Sequence, residues 1–140
     1  MRPIEFRGKC IDTGEWVYGF YGKKPREKGH TDEHFEHFII KASEKEDTTN
    51  GTLIWFDDYV VNPDTIGQFT GLHDKNGKEV YEGDIIRCKS LIASIVFGSS
   101  EACFYIKIIN SYDGYIGNSF LSESEVIGNI NDNPELLEGK

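Results

Sequence analysis

Short runs of branched and aromatic residues, each closed by a turn signal, constrain this chain more than any other feature. Ile85-Ile86-Arg87-Cys88, Ile92–Phe97 and Phe104–Ile109 are examples, separated by clusters of Gly, Asn, Asp and Ser. Runs this short do not make core helices, and their close spacing leaves no room for the crossovers of a parallel sheet. They build antiparallel hairpins, sandwiches or barrels. The expected fold is mainly β, with short antiparallel strands.

Local patterns place the first elements. Ile4 and Phe6 alternate with Glu5 and Arg7, as in a half-buried strand. After Asp12-Thr13-Gly14, the residues Trp16, Tyr18 and Phe20 alternate again, which predicts a β-hairpin. A second hairpin is predicted from Phe35–Ala42 and Leu53–Phe56, on either side of a polar stretch ending in Asn50-Gly51. Asn62-Pro63-Asp64 is expected to interrupt that second strand, with Asp64 or Thr65 capping a helical turn. Asp74-Lys75-Asn76-Gly77 predicts a type I′ hairpin turn. At the C-terminus Asn133 as cap, Pro134 as first helical residue and Glu135 in the first turn predict a short helix. Leu136 and Leu137 would pin it.

A length of 140 residues suits one domain, with 1–61 as an N-terminal hairpin region and 62–137 as the core. Fifteen basic residues against 24 acidic ones give a net charge of −9, which opposes binding to nucleic acid. Cys10, Cys88 and Cys103 are odd in number and lack CxxC spacing, so a reduced cytoplasm is expected. The N-terminus has no continuous apolar segment of signal-peptide type, and no run is long enough to span a bilayer.

Three longer segments carry a family resemblance. Asn62–Ile86 reads NPDTIGQFTGLHDKNGKEVYEGDII, Glu125–Leu137 reads EVIGNINDNPELL, and Ile4–Gly19 reads IEFRGKCIDTGEWVYG. In this order they resemble the core, closing and opening motifs of the YopX-like family of phages and prophages of Gram-positive bacteria. The resemblance implies an SH3-like barrel in the C-terminal half, over 62–137, and a tendency to self-associate. It implies no catalytic residue. Gly67, Gly71, Gly77, Gly83 and Asp84 match the family motif, and each has a structural task open to it. Gly77 serves the turn, Gly71 and Gly83 serve bends, and Asp84 accepts backbone hydrogen bonds.

The sharpest candidate for chemistry is the segment His30–His37. His30, His34 and His37, with Asp32, Glu33 and Glu36, supply the ligand types zinc or nickel prefers. On a helix the three imidazoles share a face; on a strand His37 points away from the other two. The order is not HExxH, and a solvated polar loop is the simpler reading. Asp57-Asp58 and the Glu44, Glu46, Asp47 group offer carboxylates, but neighbours on a strand point to opposite faces. The three cysteines lie in or beside strand patterns, where a thiol behaves as a small hydrophobe. No GxSxG elbow is present. No catalytic residue, cofactor or metal is therefore expected.

Trp16, Tyr18, Phe20 and Tyr21 in one hairpin, and Trp55, Phe56 and Tyr59 in another, remain for core packing, subunit interfaces or base stacking. The leading expectation is a non-enzymatic phage or prophage accessory protein. It would act through protein contacts, as a homo-oligomer or on a host or phage protein. The alternatives are a nucleic-acid-binding SH3-like module and a metal-dependent hydrolase built on His30, His34 and His37.

Overall fold

The computed structural model describes residues 3–25, 35–47, 49, 51–109, 114–115 and 118–138. Its elements are β1 (Phe6–Cys10), β2 (Trp16–Pro25), β3 (Phe35–Asp47), β4 (Gly51–His73), β5 (Glu79–Tyr81), β6 (Asp84–Cys88), β7 (Leu91–Gly98), β8 (Cys103–Ile108), β9 (Gly114–Tyr115) and β10 (Glu125–Asn129). A single helical turn, α1 (Asn118–Leu121), and a 3-10 turn at Pro134–Leu137 complete them. The fold is mainly β and its registered strand pairs are antiparallel. The chain divides into two compact units, Ile4–Ile66, and Gly67–Lys140 with Met1–Pro3.

In the Ile4–Ile66 unit the strands pair in chain order, and β1 also pairs with β4. Ile39 and Val61 are fully buried there, beside Cys10 and Phe38. The predicted alternation in β1 marks the wrong face. Ile4 is 59% exposed, whereas Arg7 is buried with its guanidinium 4.8 Å from the centre of the Trp16 ring. A planar, weakly hydrated guanidinium stacks on an indole, so a charged residue can take an interior position.

Two further expectations are corrected here. β3 and β4 run well beyond the predicted hairpin, pairing from Phe38↔Val60 out to Asp47↔Gly51. β4 also passes straight through Pro63 without a break or a helical turn. Pro63 is exposed, and its flanks are held locally. The Asp64 N–H donates to Asn62 Oδ1, the Thr65 hydroxyl donates to the Asn62 carbonyl, and Lys9 N–H donates to Thr65 Oγ1. Thr65 thus ties β4 to β1 instead of capping a helix.

In the Gly67–Lys140 unit a five-stranded sheet has the order β10-β6-β7-β8-β9, and β5 folds back on the end of β4. Val80, Ile86, Ala93, Ile95, Ile106 and Leu121 form its core, with Leu72, Ile108, Phe120 and Val126 against them. The turn at Asp74–Gly77 is not type I′. Only Gly77 takes a positive φ, +77°, and its N–H donates to the Asp74 carbonyl at 3.0 Å. Lys75 and Asn76 are the central residues of an ordinary β-turn, and Gly77 supplies the left-handed residue that follows it.

The C-terminal helix reduces to the 3-10 turn Pro134–Leu137, because Asn133 does not cap it. Its amide oxygen instead accepts the Asn129 N–H, tying it back to β10.

Lys89 opens the two-residue link between β6 and β7 with φ +56°. A side chain costs about 1–2 kcal/mol in that region, and glycine costs none beyond its unfolded-state entropy. Lys89→Gly is expected to raise stability by about 0.5–1 kcal/mol. Thermal denaturation checks this, and a lowered midpoint would show that Lys89 makes compensating contacts.

Candidate interaction surface

β2 leaves β3 at Phe20↔Ile40, and from Lys41 onward β3 pairs with β4 alone among the described residues. The result is a two-stranded ribbon, Lys41–Asp47 against Gly51–Asp57. Directly opposed residues share a face, so Phe20, Ile40, Ala42, Phe56 and Ile54 lie on one side. Phe20 is 60% exposed, Ile54 61% and Phe56 67%, with Trp55 half exposed on the other face. Exposed acids sit at the margins: Asp58 opposite Ile40, Glu44 opposite Ile54, and Asp57 opposite Lys41 on the reverse side.

The ribbon forms because its β4 arm carries branched and aromatic residues at consecutive positions, pairs with the polar Lys41–Asp47 arm of β3, and has a glycine at the tip, Gly51, with φ +87°. Such residues ordinarily face an interior. Here one sheet layer cannot cover both sides, and their aromatic area stays in water. Surface apolar patches of several hundred Å2 mark interaction sites on soluble proteins.

The candidate metal ligands do not assemble into a described site. His30 and His34 lie outside the described residues, as do Asp32 and Glu33. His37 sits on β3, where its Nδ1 lies 2.7 Å from the Tyr21 hydroxyl and the two rings stack at 5.9 Å. Among the described residues no group of three or more His, Cys, Asp or Glu could hold a metal ion. Asp57 and Asp58 point to opposite faces of β4, as the strand period requires.

Cys10 and Cys88 are buried and Cys103 is half-buried. The Thr13 hydroxyl, helped by backbone N–H groups at Thr13 and Asp12, holds the Cys10 thiol below its ordinary pKa. No described partner converges on it as a base or an oxyanion donor.

Sequence reasoning missed the task of Asp74, which is buried. Its Oδ1 accepts the N–H groups of Asn76 and Lys78 at 2.8 and 2.9 Å, and its Oδ2 accepts that of Val126 at 3.0 Å. Burial pushes the carboxyl up, but these three donors outweigh it and the pKa falls below the usual carboxylate value. The turn at Asp74–Gly77 was legible in the sequence; the reach of its carboxylate to Val126 was not. The motif residue Asp84 is also buried and accepts the Tyr81 N–H at 2.8 Å. Both carboxylates hold the fold together.

The YopX protein family model matches residues 5–138, and the chain belongs to that family. Among solved structures it is similar to protein EF1440 from Enterococcus faecalis, known from a crystal structure. The two share 23% identity and a TM-score of 0.59, over 99% of this chain and 100% of the other. That likeness establishes the fold alone. A comparison with curated proteins finds no match. Among the described residues no helix is long and apolar enough to cross a membrane.

Proposed function

We propose that this protein is a non-enzymatic phage or prophage accessory protein that self-associates and acts through protein–protein contacts in the bacterial cytoplasm. The observation that carries the reading is the exposure of Phe20, Ile54 and Phe56 on one face of the β2–β3–β4 sheet. Side chains of this size left in water cost free energy that a partner recovers. Family membership supports the phage setting, and the consecutive antiparallel strands β6, β7 and β8 support an SH3-like class for the second unit.

Light scattering after gel filtration tests it. A mass above that of one chain, rising with concentration, is the expected result. A strict monomer at high concentration counts heavily against self-association.

A further inference from the structure

Deepening that reading, and resting on it, we infer that two copies of the chain stack ribbon on ribbon, with Phe56 of each seated over Ala42 of the other. The uneven relief of the Phe20, Ile54 and Phe56 face carries the argument. Ala42 is exposed, and it is the one small side chain among those that line this face. Phe56 stands directly opposite it, 67% exposed. Phe20, opposite Ile40, and Ile54, opposite Glu44, stand diagonally on either side of it. Each ribbon therefore offers a dip walled by large side chains and, beside it at the same level, a projecting ring.

A face with both a knob and a dip fits its own copy. A two-fold axis running along the strands, between β3 and β4, lays β3 of one ribbon over β4 of the other. Opposed residues keep their level under that rotation, so Phe56 meets Ala42 reciprocally. Stacked layers interdigitate when large side chains face small ones. An axis running across the strands sets β4 on β4 and β3 on β3 in every register, and Phe56 never reaches Ala42. Only the first arrangement fills the dip. It covers the exposed face itself, uses no strand edge, and closes at two copies.

The area is in proportion. Phe20, Ile54 and Phe56 leave roughly 300–400 Å2 of apolar side chain in water, about half of the ~800 Å2 that each partner of a stable pair contributes. Ala42, Ile40 and the ribbon margins supply the remainder. Stacked sheets lie about 10 Å apart, a depth that side chains from both sides fill. Asp58 is exposed at the margin, and its two copies come to one level across the axis. Salt screens such a pair, so added salt should tighten the dimer.

Exchanging knob and dip tests this on the whole chain by sedimentation equilibrium. Ala42→Phe fills the dip and should raise the dimer dissociation constant about 100-fold, although it adds apolar surface. Phe56→Ala removes the knob and should weaken the dimer by a similar factor. The double variant carries ring and dip exchanged, and should return to within about tenfold of wild type. Both positions are exposed on strands, so far-UV CD should stay unchanged in all three.

Full association in either single variant, a double variant no tighter than its parents, or a dimer that loosens with salt overturns this stacking while leaving self-association standing. A wild-type chain that is monomeric at every concentration overturns both.

Discussion

Replacing Asp74 by Ala is expected to destabilise the protein by about 3–5 kcal/mol, a large share of the ~5–15 kcal/mol that holds a domain of this size together. Its carboxylate accepts three backbone N–H groups, from Asn76, Lys78 and Val126. Hydrogen bonds to a charged acceptor contribute about 1.5–3 kcal/mol each, and a buried donor left without one adds its own desolvation cost. The effect also has a pH signature. The folded pKa of Asp74 is depressed, so its contribution is fully present above the unfolded value of about 3.9 and is lost as pH falls through the lower folded value. Denaturant unfolding should therefore show wild type losing stability steeply below about pH 4. The loss should be shallower in Asp74→Asn, which has no charge to neutralise. Parallel acid limbs in the two proteins would show that other carboxylates govern acid unfolding.

Gly67→Ala is the second large effect, at about 2–3 kcal/mol. A Cβ built at Gly67 would lie 2.4 Å from the Glu82 carbonyl oxygen and 3.3 Å from its carbon. That carbonyl belongs to backbone, and the Glu82 N–H is bonded to the Gln68 carbonyl at 2.9 Å, so it cannot simply swing away. Relief requires β4 to separate from the turn after β5, and overpacking of this kind costs about 1–3 kcal/mol. Gly14→Ala separates the causes. Gly14 has φ +71° but nothing within 4 Å of its would-be Cβ, so it should lose only about 1 kcal/mol of conformational preference. Equal losses at the two positions would mean that crowding at Glu82 is absorbed.

Much of the architecture could be read from turn residues and strand periods. Strands β6 to β8 fall where the runs between turns place them, because each is short and closed by local signals. What escaped was non-local. The face of a strand that points inward is set by its neighbours, and Arg7 is interior because Trp16 stacks on it. The length of β4 was hidden because Pro63 reads as a breaker unless its flanks find partners. Asn133 looked like a helix cap, but Asn129 claims its side chain. The aromatics of β2 and β4 were legible as a set. Their exposure was not, since alternation marks two faces without saying which one meets water.

Amide hydrogen exchange as a function of protein concentration tests most directly whether the β4 ribbon is the surface through which this protein works. Exchange at Ile54–Asp58 should slow as concentration rises, while amides bonded within the second unit, such as Val126 to Asp74, stay unchanged. Uniform exchange across the ribbon at every concentration, in a protein whose mass nevertheless grows, would contradict the account and move the contact elsewhere.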